Sequence, residues 1–163
     1  MTEALKLKAS EAVNTLNAKN LNIATAESCT GGLLSALITS VSGASNVFGL
    51  GICSYSADAK NGILKVNAKT LEDFGTVSEL TAKEMAQNVR TLANADIGLS
   101  VTGVAGPNPT ENKPVGLVYI ALSDKKNTLV KKLNIENNGR DYIRNIAADE
   151  IFNLLINYLN MEE

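Results

Sequence analysis

Two short strands in this chain each run into a polar turn that carries glycine. Residues 21–26 lead into Glu27-Ser28-Cys29-Thr30-Gly31-Gly32, and residues 97–101 lead into Thr102-Gly103-Val104-Ala105-Gly106-Pro107. Around them strands alternate with helices, and a hairpin follows. That order argues for an α/β sandwich with a mixed sheet. In such folds ligands gather at the carboxyl ends of strands. Both turns sit at such ends, so they are read as one site.

The remaining elements follow from periodicity and punctuation. Residues 3–19 read as an amphipathic helix capped by Thr2, with Leu5, Ala9, Ala12, Val13 and Leu16 on one face. Residues 33–41 read as a helix ended by Ser42-Gly43. Residues 47–56 read as an apolar strand broken by Gly49 and Gly51, and Ser56 opens a short helix. Residues 68–74 form a further short helix. Ser78 caps a long one over 79–93, with Leu80, Met85, Val89 and Leu92 expected inward. Residues 107–114 are the least structured stretch. Residues 115–123 and 128–135 pair across a turn at 124–127, and a closing helix spans about 140–159. No internal repeat or linker interrupts the pattern, and one domain over residues 1–163 is expected.

Composition narrows the chemistry. The net charge is −2, without the Lys and Arg excess of a protein that binds nucleic-acid backbones. The densest basic cluster, Lys125-Lys126 with Lys131-Lys132, reads as solvated strand ends flanking a turn. Two cysteines, Cys29 and Cys53, form neither a Cys-x-x-Cys pair nor a disulfide framework. The first residues show no basic stretch followed by an apolar one, and no apolar run reaches the length of a membrane span. A reduced, cytoplasmic setting is expected. The chain has no histidine, which excludes Ser-His-Asp and Cys-His machinery and zinc sites that need imidazole. A catalytic base here is a carboxylate, a lysine, a tyrosine or a bound group.

Several residues fit such chemistry, each with a plainer alternative. Ser28 and Thr30 precede a helix that opens on Gly31 and Gly32. Unpaired amides and the dipole at a helix start suit a phosphate or an oxyanion. A hydroxyl there is a nucleophile or simply a cap. Cys29 is an intrinsically stronger nucleophile, or a small packing residue. Lys60 serves as a general base if its pKa is lowered, with Tyr55 relaying the proton or orienting it. Otherwise Lys60 is a surface helix residue and Tyr55 a strand aromatic. Gly103, Gly106 and Pro107 make a cradle for phosphate or carboxamide, or an ordinary turn. No Gly-Lys-Ser/Thr follows, so this is not a P-loop. Arg140 and Arg144, four apart on one helix face, form a phosphate pair or two solvated arginines.

Five blocks in order carry a resemblance: Thr25-Ala26-Glu27-Ser28-Cys29-Thr30-Gly31-Gly32, Tyr55-Ser56-Ala57-Asp58-Ala59-Lys60, Val77-Ser78-Glu79, Thr102-Gly103-Val104-Ala105-Gly106-Pro107 and Lys113-Pro114-Val115-Gly116-Leu117-Val118. Together they resemble the CinA C-terminal domain, of the competence/damage-inducible protein family, whose active members are PncC-type nicotinamide-nucleotide amidases. The resemblance spans nearly the whole chain. It implies a three-layer α/β/α sandwich that hydrolyses the carboxamide of nicotinamide mononucleotide (NMN) to nicotinate mononucleotide and ammonia, in pyridine nucleotide recycling. It implies Ser28, Tyr55 and Lys60 as the catalytic set, with neither metal nor cofactor. Substrate contacts are then expected from Thr30, Gly31, Gly32, Thr102, Gly103, Ala105 and Gly106. The family's Gly-Asp-Arg segment is matched by Asn138-Gly139-Arg140, which adds Arg140 and alters the loop before it. The loop over 108–112 lacks the family's glycine run. Larger relatives carry an N-terminal domain, whereas this chain starts at the amidase-like one. Expected partners are the nucleotide substrate and a second copy of the chain, as a homo-oligomer (a dimer), with no nucleic acid and no membrane. Two other readings remain open: a nucleotide-binding regulatory module without turnover, and an interaction protein tied to DNA uptake or damage.

Overall fold

The computed structural model describes residues 2–161. In chain order the elements are α1 (Glu3–Lys19), β1 (Ile23–Glu27), α2 (Leu33–Thr39), a short 3-10 turn (Ala44–Asn46), β2 (Phe48–Cys53), α3 (Ala57–Gly62), α4 (Ala68–Phe74), α5 (Glu79–Ala93), β3 (Ile97–Gly103), β4 (Leu117–Ser123), β5 (Thr128–Asn134) and α6 (Arg140–Met161). The strands form one sheet in the order β2-β1-β3-β4-β5. β1 runs parallel to both β2 and β3, whereas β3-β4 and β4-β5 are antiparallel. The sheet is mixed and lies between two helical layers, as the strand–helix alternation predicts.

Side-chain alternation along the strands divides the core between those layers. Ile23, Leu99, Val101, Ile120 and Leu122 join α1, α2 and α6 on one face. Ala24 and Ala26 point the other way, onto Met85 and Val89 of α5 with Leu64 and Val66 from the segment after α3. β1 is buried along its whole length, and all but the last residue of β3 is buried too. That is why these two read as apolar runs rather than as alternating strands. No described helix is long and apolar enough to cross a membrane.

The caps act as their residue types predict. Thr2, Ser56 and Ser78 side chains accept from the amides of Leu5, Ala59 and Thr81. Several boundaries shift. α2 stops at Thr39 and β2 at Cys53, so Tyr55 lies in the connection to α3 and not on a strand. In α5 the expected inward set is partly wrong: Leu80 is 39% and Leu92 56% exposed. The buried stripe is Thr81, Ala82, Met85, Ala86 and Val89. The reason is a close approach of helix to sheet. A Cβ built on Gly98 of β3 would lie 2.0 Å from the Ala86 carbonyl oxygen. Small residues seat the helix there, and bulky leucines are turned outward.

Gly98→Ala should therefore push α5 off the sheet. Its expected cost is about 1–3 kcal/mol, the usual range for overpacking a tight interior. Urea unfolding of the two proteins, compared at matched m-values, measures it.

Candidate active site

β1 ends in Glu27, whose side chain is completely buried. Its Oε2 accepts from the amides of Gly32 (3.0 Å) and Leu34 (3.1 Å). Its Oε1 accepts from the Ser35 amide (2.9 Å) and the Ser35 hydroxyl (2.8 Å). These are the orphan donors of the α2 N-terminus, where the helix dipole also favours an anion. Gly32 is the N-cap, at φ +93°, and makes no side-chain cap bond. Neither Ser28 nor Thr30 is therefore the cap. The amides of Gly31 and Leu33 donate to the carbonyls of Ser28 and Thr30. Of the amides expected to seat an anion at residues 30–32, Gly32 is thus taken by the protein's own carboxylate and Gly31 by the Ser28 carbonyl. Sequence reading passed over Glu27. The available signal was a carboxylate closing an apolar strand, directly ahead of a helix start with no other acidic residue.

Ser28 is released from capping and held by backbone instead. Its amide donates to the Val101 carbonyl at 2.9 Å, which ties the turn to β3. Its hydroxyl meets Lys60. The Lys60 amine lies 2.9 Å from Ser28 Oγ and 2.6 Å from the Ser54 carbonyl oxygen. α3 places it there: Ser56 caps the helix, and Lys60 falls one turn later on the face turned toward the ends of β1 and β2. Lys60 is, with Phe152, one of the largest side chains wholly removed from solvent in the described residues. Among the described residues no carboxylate pairs with it. Burial draws its pKa down from 10.5 to about 8, opposed by weaker charge effects of Cys29 and Glu111. A lysine that is neutral for part of the time, hydrogen-bonded to a serine, is a serine–base pair without histidine.

Ser28 opens on a cavity of about 280 Å³, with Lys60 buried behind it. Ser28, Cys29, Tyr55 and Arg140 line it, as do Gly103, Ala105 and Gly106 of the second turn. The Val104 amide is spent on Leu117, but those of Ala105 and Gly106 donate to no described residue. Both residues line the same cavity as Ser28. Thr30, Gly31, Gly32 and Thr102 do not line the cavity. The Thr102 hydroxyl donates to the Thr76 carbonyl instead (2.7 Å). Tyr55 is 63% exposed, and its hydroxyl accepts from Arg140 Nη2 at 2.6 Å rather than bonding to Lys60. Arg140 Nη1 also donates to the Gly106 carbonyl (2.7 Å), so this side chain joins the second turn to the Tyr55 loop. Arg144 faces elsewhere, donating to the Thr30 carbonyl (2.7 Å) and to Asp141. The Cys29 thiol is pushed up to about 12 by burial, which keeps it protonated and a poor nucleophile.

Two stability measurements follow. Glu27→Ala leaves three amides of the α2 start without their acceptor, at an expected cost of about 1–3 kcal/mol in urea unfolding, with Glu27→Gln in between. For Lys60 the folded pKa lies below the unfolded one. Between about pH 8 and 10.5 the unfolded chain holds the extra proton, so wild-type stability rises with pH across that window. The stability difference between wild type and Lys60→Met should move by on the order of 3 kcal/mol over the same window. Paired denaturation curves at each pH check this, since other titrating groups cancel.

Comparison with known proteins places this geometry in a family. The CinA C-terminal domain model matches residues 6–159. A protein of Thermoanaerobacter sp. strain X514, named as competence-damage inducible, is 51% identical over 148 residues, which cover 90% of this chain and 36% of that protein. A CinA-like protein of Kosmotoga olearia is 52% identical over 137 residues, 83% of this chain and 33% of its own length. The chain thus spans about a third of these curated relatives. The crystal structure of a competence/damage inducible protein from Agrobacterium tumefaciens superposes with a TM-score of 0.93 at 34% identity, over 98% of both chains. A CinA superfamily structure from Klebsiella pneumoniae 700603 also reaches 0.93, at 28% identity over 96% of this chain and 98% of its own. With the family model covering nearly its whole length, the chain belongs to the CinA C-terminal domain family.

Proposed function

We propose that this domain hydrolyses the carboxamide of nicotinamide mononucleotide by covalent catalysis through Ser28. The observation that carries the reading is the buried Lys60 amine, 2.9 Å from Ser28 Oγ with no carboxylate among the described residues to hold its charge. With a pKa of about 8, roughly one Lys60 in ten is neutral at pH 7.

Neutral Lys60 accepts the Ser28 proton as Oγ bonds to the carboxamide carbon. The carbonyl oxygen becomes an oxyanion, which the Ala105 and Gly106 amides stabilise. As the tetrahedral species collapses, the Lys60 ammonium returns the proton to the departing nitrogen, and ammonia leaves. Lys60 then deprotonates a water that attacks the acyl carbon, and the acid and free Ser28 are regenerated. The substrate's cationic pyridinium ring makes its carboxamide more electrophilic. Arg140, at the cavity rim with Tyr55, is the group suited to the phosphate. Tyr55 thereby orients Arg140 and the substrate, and the proton passes between Ser28 and Lys60 directly.

Ammonia release from NMN by the purified chain tests the reading. Ser28→Ala should lower kcat roughly 10³-fold or more, and Lys60→Ala roughly 10²- to 10⁴-fold, the usual worth of a general base. The wild-type kcat/KM should climb as pH rises through about 8, following the neutral amine. Wild type without turnover, or undiminished turnover in Ser28→Ala, would overturn the proposal.

A further inference from the structure

The outer wall of the cavity is a surface turn that its own backbone would not hold in place. Thr110 and Lys113 exchange both backbone hydrogen bonds. Between them Glu111 and Asn112 take left-handed conformations, φ +52° and +55°. Such a tight turn strongly favours glycine, and none is present here. What holds it is the Glu111 carboxylate. Oε1 accepts from the Thr76 hydroxyl (2.6 Å), and both oxygens lie 3.0 Å from the Thr76 amide. Oε2 also accepts from Lys113 Nζ (2.9 Å), which in turn donates to the Phe74 carbonyl (2.6 Å). The receiving segment is itself anchored: Thr102 and Thr81 hydroxyls donate to the Thr76 and Gly75 carbonyls.

Gly75 is part of the device. It sits at φ +78°, and a Cβ there would lie 2.2 Å from Glu111 Oε2 and 2.6 Å from Lys113 Nζ. Only a residue without a side chain lets the carboxylate reach Thr76. The segments so joined bring Thr76, Asn108 and Thr110 to the cavity that holds Ser28. These are neutral hydrogen-bonding groups in the cavity that the cationic Arg140 also lines.

We propose that Glu111 is a positioning residue: by clamping the 107–114 turn onto Thr76 it builds the neutral polar wall against which the uncharged, hydroxyl-bearing part of the substrate is held. The assignment rests on the amidase reading for the identity of that substrate. The clamp stays ionised over the working range, because the Thr76 and Lys113 hydrogen bonds outweigh burial and hold its pKa down at about 2. It acts through the wall, and its charge adds a weaker effect that opposes the fall in the Lys60 pKa.

Three variants test it: Glu111→Ala, Glu111→Gln and Gly75→Ala. Gly75→Ala leaves the carboxylate in place but blocks its approach. For NMN hydrolysis KM should rise roughly tenfold in Glu111→Ala and Gly75→Ala, with kcat falling by less. Glu111→Gln, which keeps an acceptor for Thr76 and loses the Lys113 ion pair, should lie between. Amide hydrogen exchange supplies a readout independent of turnover: the Thr76 amide and the 107–114 turn should exchange faster in the same order, while β1 and β3 keep their protection. Calorimetric titration with nicotinate mononucleotide should show weakened binding in that order too. Unchanged KM and unchanged exchange in a folded Glu111→Ala would overturn the clamp, as would a fall in kcat with KM untouched. A wild type that releases no ammonia refutes the amidase reading alone, and exchange at Thr76 still judges the clamp.

Discussion

A carboxylate without a counter-ion inside a protein is costly unless its oxygens are fully hydrogen-bonded, and Glu27 meets that condition. Three of its four donors are amides from the first turn of α2, so the helix supplies both hydrogen bonds and positive potential. The bonds join the end of β1 to the start of α2 and leave residues 28–31 little freedom between two fixed points. With the Ser28 amide also tied to Val101, the hydroxyl is aimed before any ligand arrives. Lys60, the Val101 carbonyl and the second turn all take their positions relative to that fixed corner.

The buried glutamate and the buried lysine around Ser28 are treated in opposite ways. Glu27 is ringed by donors, which suits a carboxylate. Lys60 has one carbonyl and one hydroxyl and no carboxylate, so its protonated form is penalised. Withholding a carboxylate partner from a buried lysine brings its titration down toward neutrality. Desolvation does this only if the amine is wholly enclosed, as it is here.

The layered α/β architecture was legible because the strands of the parallel half are apolar and their bounding turns polar. α1, α4 and α5 were also legible, from periodicity and from Thr2 and Ser78 as caps. The inward face of α5 was not. Leu80 and Leu92 are more apolar than Ala82 and Ala86, and only the nearness of Gly98 to the Ala86 carbonyl explains why the small residues win. At the site, composition made a lysine base reasonable and the ordered blocks singled out Lys60. Neither could say that Tyr55 would turn to Arg140, which depends on where α6 begins relative to the Tyr55 loop. At the expected cradle the Gly31 and Gly32 amides are already bonded, which was not legible because a free helix start and one filled by the preceding glutamate look alike until the turn is built. The stretch over 107–114 looked unstructured because its order comes from Glu111 reaching a segment 35 residues away.

The strand order carries a last consequence. β1 and β2 are adjacent and parallel, yet the chain leaves them toward opposite sides of the sheet: from β1 into α2, beside α1 and α6, and from β2 toward the α5 layer. Where neighbouring strands send their continuations apart, a crevice opens that no side chain has to carve. Ser28 follows β1 and Lys60 follows β2, so the hydroxyl and the amine of the proposed catalytic pair arrive from the two banks of that crevice. Their encounter is a property of the winding of the chain. Substitutions in the helices can alter how firmly the crevice is held, but the crevice itself persists as long as β1 lies between β2 and β3.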